Sequence, residues 1–543
     1  MRYRRRSNPI ATSKIVCAIF VVTFYLFYAQ LHPPARTQGK PLPKRQAIQY
    51  ERWNKTGKAD LDKRLKVKQA MIHTYKGYRE KAWGKDDIKP VSGKFNNSRN
   101  GWGAFIVDST TTLAVMGMWE ELTEELNFIT KEINFQTPEG LVDPFETTIR
   151  YLGGMVSVIE LGDNGLIPSS LFTTRIRKGI LMQAEALATN LLVAFDPRTG
   201  LPYPRIDFRN FKVSPMDATV GPARIGSNFL EMCTLSRLTG DPEYCSKATI
   251  AWSSLVRNKY VEDLPGLVDG KINVETGELL GRNRHWDAGH DSYYEYLLKA
   301  SLLFPSSPNS KVYRNRWTQA AEAVRHNITS RSSPYQKDAT SHLYMGKWNG
   351  PWYLNEMSHL ACFAPGNLLL GGRVLRRKDL VTLGKALLDG CRHTYATSPL
   401  GIGPEKFSWL PSPGSHNGTF EPKTDRQKNE LAKFGFWVAD ARFQLRPEYV
   451  ESLFYAFRTT GEQRYRDWAW EAFEAMEKYC KTEFGYAGIE DVMVKEGIKL
   501  IDDTESFWAA ETLKYLYLIF DDVNVMSLDD WIFSTEGHLF RGR

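Results

Sequence analysis

Three acidic residues stand where helices should begin. Glu146 lies in DPFETTIRYLGG between Phe145 and an apolar helix, and Arg150, four residues on, shares its helical face. Asp291 opens DSYYEYLLK, where capping a helix N-terminus would be role enough by itself. Glu448 lies in LRPEYVESLFY: Pro447 suits a first turn, Glu448 sits near the positive helix end, and Glu451 follows on the same face. Glu505 and Glu511 flank Phe507 and Trp508 in ESFWAAETLKY. With 62 acidic residues in the chain, a lone carboxylate is ordinarily a solvated surface charge, and only the aromatic company sets these apart. Rings stack on the apolar faces of pyranoses, while carboxylates and arginines take hydroxyls in charge-assisted hydrogen bonds. Glycoside hydrolysis also needs a proton donor on the leaving oxygen and a second carboxylate to activate water or attack carbon. The sequence carries no Gly-rich phosphate loop, H-E-x-x-H, G-x-S-x-G elbow or EF-hand loop to compete with that reading.

Helical periodicity must position these groups. YVESLFYAFRTTGEQRYRDWAWEAFEAMEKYC carries apolar residues at three- and four-residue spacing on both sides of Thr460-Gly461-Glu462, a helix, turn and helix. SNFLEMCTLSRLTGDPEYCSKATIAWSSLV repeats the plan, with Gly240 ending one helix and Asp241 and Pro242 starting the next. Further hairpins are read around 111–129, 148–195, 293–328 and 367–391, and a last apolar helix in ETLKYLYLIF. Repeated hairpins stack into an open solenoid or close into an α/α barrel. Polar groups recurring at helix starts favour closure, because a barrel gathers them at one mouth.

The formal charge of +9 raises the question of a nucleic-acid or membrane partner until it is located. Residues 1–68 hold 16 Lys and Arg against 3 Asp and Glu, and the rest of the chain holds 55 against 59. The basic surplus belongs to the N-terminal segment, so no nucleic-acid partner is expected. Arg2, Arg4, Arg5, Arg6 and Lys14 precede an apolar run from Ile15 to Leu31, and Pro33 and Pro34 follow. That order reads as a signal anchor in a type II orientation: a cytosolic basic tail over 1–14, a membrane span over 15–31, a lumenal stem over 32–65 and a globular domain over 66–543. A cleaved signal peptide wants two small residues one position apart after the apolar run, and neither Ala29 nor Ala35 supplies a clear pair. Sequons at Asn54, Asn96, Asn327 and Asn417 agree with a lumenal domain. Six cysteines are too few for a disulfide scaffold; Cys17 lies in the apolar run, and the pairing of Cys233, Cys245 and Cys480 stays open.

At these residues the chain resembles the class I α-mannosidases, glycoside hydrolase family 47. The resemblance runs from about Tyr75 to His538 and rests on KPVSG, NGWGAFIVDSTTTL, FETTIRYLGG, LSRLTGDPEY, DSYYEYLLK, SHLACFAPG, RPEYVESLFY, ESFWAAETLKYLYLIF and FSTEGH, in family order. It implies an all-α fold, a single (αα)7 barrel, and a calcium-dependent inverting exo-α-1,2-mannosidase acting on high-mannose N-glycans in the Golgi or endoplasmic reticulum. By the same resemblance Glu146 matches the general acid, Glu448 the general base and Asp291 a third essential carboxylate. Arg150, Glu231, His359, Arg446, Glu451, Phe507, Glu511 and Glu536 match residues lining the pocket, with Phe507 beneath the sugar, and Thr535 matches the direct calcium ligand through its carbonyl and hydroxyl oxygens. The family's disulfide falls on Cys362 and Cys391. Mannosidase-like proteins of glycoprotein degradation, the alternative class of glycan-binding quality-control protein, generally lack that pair. Where endoplasmic-reticulum members carry Arg two residues before the DSYYEY aspartate, this chain has Gly289, as more permissive Golgi and fungal enzymes do, so several α-1,2-mannoses are expected to be trimmed.

Overall fold

Helices that are buried on most sides alternate along the chain with helices that are buried along one side. The computed structural model describes residues 47–542 except 54, 215–216, 258–263 and 336–339, so the expected tail and anchor lie outside the described residues. Among the described residues no helix is long and apolar enough to cross a membrane. The helices that matter are α1 (Leu61–Lys81), α2 (Ala104–Met116), α3 (Trp119–Lys131), α4 (Gly153–Asp163), α5 (Thr174–Leu191), α6 (Phe229–Thr239) and α7 (Glu243–Val256). They continue as α8 (Asp291–Leu303), α9 (Ser310–Ala323), α10 (Ala364–Val374), α11 (Lys378–Thr397), α12 (Glu448–Thr460), α13 (Arg464–Tyr479) and α14 (Leu513–Phe520).

Burial divides them into two layers. In α2 every residue but Val115 is buried, as are Ser292–Leu303 of α8 and all of α14. By contrast α13 buries Tyr465, Ala469, Ala472, Phe473 and Met476, one stripe at three- and four-residue spacing. Each of these largely buried inner helices packs on a striped one: α2 on α3, α4 on α5, α6 on α7, α8 on α9, α10 on α11, α12 on α13, and α14 on α1. The buried set also touches in a closed circuit, from α2 through α4, α6, α8, α10, α12 and α14 back to α2. The approach is close enough to require glycine: a Cβ on Gly154 of α4 would stand 2.5 Å from the Val107 carbonyl oxygen of α2.

The two T-G-[DE] turns behave as their residues dictate. Gly240 and Gly461 hold φ of +83° and +74° after α6 and α12, a conformation that strains a residue bearing Cβ. Asp241 Oδ1 accepts the Glu243 amide at 2.9 Å, but α7 starts at Glu243, so the N-cap is Pro242 and Asp241 lies one residue before it. This hairpin brings Cys233 and Cys245 together as a disulfide, a pairing that helix periodicity alone does not reveal. Cys362 is joined to Cys391 as the resemblance implies, and Cys480 is free and buried.

Short antiparallel ribbons, absent from the helical reading, fill the ends of the bundle. The last, Trp531–Phe533 with Leu539–Arg541, lies against residues of several inner helices. Ser157 of α4 holds Leu539 through both backbone groups, Phe533 packs 5.2 Å from Phe454 of α12 and 5.6 Å from Tyr515, and His538 meets Asp108 of α2. The ribbon therefore runs inside the circuit. At the other end of the chain the compact unit begins at Ile48, so residues 48–65, expected as stem, belong to the domain instead. The reason is a set of buried polar ties: Gln49 donates to the Val523 carbonyl, and the buried Arg458 guanidinium donates to the Gln49 side chain and the Leu518 carbonyl.

Candidate active site

The starts of the inner elements converge on one cavity of about 300 Å³. Asp291 is the first residue of α8, Glu448 the first of α12, and Glu146 lies in the one-turn helix Pro144–Thr147 that leads into α4. The hairpin turn inside the circuit supplies Thr535 and Glu536. Phe507 and Glu511 come from the segment feeding α14. Two of these leads are wound as π-helical turns, Thr148–Leu152 carrying Arg150 and Trp508–Thr512 carrying Glu511. Such turns redirect a side chain within a helix and recur at functional sites. Leu445 has φ of +62°, strained for a residue with a side chain, in the residue before Arg446.

Of the expected residues, Glu146, Arg150, Asp291, Arg446, Glu448, Glu451, Phe507, Glu511, Thr535 and Glu536 line this cavity. Glu231 and His359 stand one layer behind it. The His359 Nδ1 lies 2.8 Å from Glu448 and its Nε2 2.7 Å from the Tyr395 hydroxyl. Glu231 accepts from the Tyr296 hydroxyl at 2.6 Å, and that hydroxyl in turn accepts the Thr535 amide. Arg99, Glu295 and Glu505 also line the wall. Glu295 follows Asp291 by four residues, so the helix period could have found it; Arg99 arrives on a loop and carries no such signal.

Two arginine clusters frame the carboxylates. Arg150 donates to Glu146 at 3.0 Å, to Ser506 at 2.9 Å and to Asp108 at 3.3 Å, and it also binds Glu536. Arg99 stands 3.5 Å from the same Glu146 oxygen that Arg150 binds. Opposite, Arg446 grips both oxygens of Glu405 at 2.8 and 2.7 Å. The guanidiniums of Arg150 and Arg446 each lie 5.8 Å from the Phe507 ring centre, so the ring neighbours both.

These surroundings separate the protonation states. Burial would raise the Glu146 carboxyl, but Arg150 and Arg99 hold it below the usual range. Burial likewise opposes ionisation of Glu448, and the His359 hydrogen bond with the Arg446 charge outweighs it, again lowering the pKa. Asp291 has no such cation. Burial and the charges of Asp287, Glu295 and Glu448 push it up to about 7, against one favourable bond from the Ser292 amide. The three carboxylates thus divide into two that are charged and one that keeps a proton near neutrality.

Eight carboxylates but only three arginines line the cavity. Burial drives Glu451, Glu511 and Glu536 well above the ordinary range, and each is raised further by its acidic neighbours. Behind Thr535, Glu231 is pushed up to about 8 by burial, and its Oε2 is buried without a hydrogen-bond partner. Among the described residues no three His, Cys, Asp or Glu side chains are grouped to hold a metal by themselves. The donor set at this turn is instead oxygen from Thr535, in a cavity wall otherwise rich in carboxyl oxygens. That suits a hard cation which keeps much of its hydration.

Arg150 balances Glu146, Asp108 and Glu536, and its side chain is only 7% exposed. We expect Arg150→Met to lower the unfolding free energy by about 3–5 kcal/mol, because removing one partner leaves buried charge uncompensated. Urea melts of the two proteins measure it, and superimposable curves would refute this role.

The chain matches the model of glycosyl hydrolase family 47 over residues 70–542. It is 38% identical over 487 residues to a probable mannosyl-oligosaccharide α-1,2-mannosidase 1B of Aspergillus clavatus, covering 88% of this chain and 92% of that one. It is 36% identical to mannosyl-oligosaccharide α-1,2-mannosidase 1B of Aspergillus phoenicis, over 88% of this chain and 90% of the relative. Among solved structures it is similar to an α-1,2-mannosidase from Trichoderma reesei, with a TM-score of 0.84 and 34% identity over 90% of this chain and 100% of the other.

Proposed function

We propose that the chain, a member of glycosyl hydrolase family 47, is an α-1,2-mannosidase that removes terminal mannose from high-mannose N-glycans with inversion, assisted by calcium at Thr535. One observation carries the mechanism: three carboxylates at three helix starts face one cavity with opposed protonation states.

Glu448 is the base. His359 and Arg446 keep it ionised, so it takes a proton from a water attacking the anomeric carbon. The leaving oxygen must gain a proton as its bond to carbon breaks. Glu146 stands on the arginine side as the donor expected from the family, yet two arginines favour its charged form. Asp291 is the carboxyl that holds a proton near neutrality, so we assign it the reservoir from which the leaving oxygen is protonated, directly or through water beside Glu146. Phe507 offers its ring to the apolar face of the sugar, with the Arg150 and Arg446 guanidiniums each 5.8 Å from its centre. A calcium ion at the Thr535 oxygens would bind sugar hydroxyls and offset the surplus of carboxylates. Gly289, at φ +92° with open space where a Cβ would stand, leaves room for more than one oligosaccharide arm.

We read the closed helix circuit as a single (αα)7 barrel, supported by its seven pairs of inner and outer helices. We further propose that the domain is lumenal, held by the 15–31 anchor in the Golgi or endoplasmic reticulum; the two disulfides suit that oxidising compartment.

The experiment is to incubate the protein with a high-mannose oligosaccharide, with calcium or with a chelator, and to follow free mannose and the melting temperature. Calcium-dependent release is expected, with a melting temperature that falls on chelation; an ion present at 100 times its Kd stabilises the fold by about 2.7 kcal/mol. Release and melting that ignore the chelator would remove calcium from the account. No release with calcium present would favour a glycan-binding protein.

A further inference from the structure

A second cavity of about 330 Å³ lies beside the first, lined by Arg205, Arg224, Lys271, Asn283, His285 and Gly289 among others. The two are joined by the chain and by contact. Gly289 is two residues from Asp291, and the Arg224 guanidinium lies 5.3 Å from the ring of Phe145, which lines the catalytic cavity beside Glu146.

Asn283 also begins a three-stranded antiparallel ribbon, Asn283–Arg284, Lys347–Asn349 and Trp352–Leu354. Asn349 is directly opposite both Asn283 and Trp352, and residues directly opposite project to one face. The other face holds Arg284, Trp348 and Tyr353, of which Arg284 and Tyr353 are 4% and 1% exposed and Trp348 is half-buried. The first face therefore carries a row of two amides and an indole that starts at the second cavity and spans about 10 Å, with the opposed pair Lys347 and Leu354 behind it on the same face. Trp352 is 64% exposed, the highest value for a large apolar side chain among the described residues. The ribbon is tied to the catalytic carboxylates: Lys347 of its middle strand pairs with Asp287 at 2.9 Å, four residues before Asp291, and Asp287 also accepts the Ser358 amide next to His359.

We propose that Asn283, Asn349 and Trp352 form an outlying sugar-binding strip. It holds an uncleaved arm of the same branched oligomannose whose terminal residue occupies the catalytic cavity. The amides suit hydroxyls and the indole suits a pyranose face, the same division of labour as in the catalytic cavity. This rests on the oligomannose reading of that cavity. A different occupant would be a glycan carried on Asn417: Gly418 bridges Tyr353 in parallel, which places Asn417 beside Trp352. Such a glycan would cover the indole but gives no reason for the amide row running to the second cavity, so the substrate arm is favoured.

The test is made in an Asn417→Gln background, which removes the competing glycan, with Trp352→Ala and Trp352→Tyr added. The expected result is a three- to tenfold rise, on the order of one aromatic contact, in the ratio of KM for a branched high-mannose oligosaccharide to KM for α-1,2-mannobiose in Trp352→Ala. Trp352→Tyr should restore most of the difference, and kcat for the branched sugar should hold. Binding is read separately: the branched sugar should perturb tryptophan fluorescence of a Glu448→Gln protein, and Trp352→Ala should weaken that titration by the same factor. An unchanged KM ratio and titration overturn the strip, as does an effect of Trp352→Ala seen only as lost yield or stability. Failure of the parent protein to release mannose would count against the catalytic reading alone, because the fluorescence titration still decides the strip.

Discussion

Glu448→Gln should lower kcat by about 10²–10⁴ while the protein remains folded, the range expected when a positioned general base loses its proton-accepting oxygen. The substitution preserves shape and removes the charge that His359 and Arg446 stabilise. Because Glu448 sits at the first residue of α12 and faces the cavity, no packed core is opened by the change. The acid limb of the wild-type profile should lie below the ordinary glutamate range, since the folded pKa is lowered, and activity is lost as pH falls through it. Steady-state kinetics on an α-1,2-linked mannose substrate, with a thermal melt as control, checks both points. A kcat within threefold of wild type would remove Glu448 from the base role.

Asp291→Asn carries the second large effect, and it acts on activity and stability in opposite directions. Asp291 is pushed up to about 7, so wild-type activity should decline as pH rises through that value and the reservoir empties. Asparagine cannot supply a proton: kcat should fall by about 10²–10³ and the alkaline limb at this pH should disappear. The stability sign follows from linkage. A carboxyl whose folded pKa is raised favours the folded state below its unfolded value, and that advantage is lost as pH rises through the folded value. Above about pH 7 the wild type therefore carries a buried charge that Asp291→Asn lacks, and the variant should melt higher there than the wild type. A variant that is both active and less stable at alkaline pH would show that the proton is held elsewhere, with Glu146 the next candidate.

The helix-start carboxylates were legible because their signal is local. Glu146 and Arg150 share a face at four-residue spacing and do pair. The T-G-[DE] turns declared two hairpins through glycine's freedom at positive φ, and Asp291 and Glu448 do open helices. What could not be read is tertiary. Arg99 reaches Glu146 from a loop, and Glu405 meets Arg446 across 41 residues. The π-helical turns that aim Arg150 and Glu511 follow from packing against neighbours, for which no residue type codes. Glu231 and His359 matched the family by sequence, and only the fold shows that they act through Thr535, by way of Tyr296, and through Glu448. Cys233 and Cys245 lie on consecutive helices whose relative rotation fixes their pairing, a quantity periodicity does not supply. Residues 48–65 read as a basic stem because their ties are mainly polar and reach the far end of the chain, as Gln49 does to Val523.

The central claim is that Glu448 directs water to the face of the anomeric carbon opposite the departing α-linked sugar. Proton NMR of the first mannose released from a high-mannose oligosaccharide, recorded before mutarotation, tests it most directly. β-Mannose should appear first, with α-mannose only later as the anomers equilibrate. Initial α-mannose would contradict it.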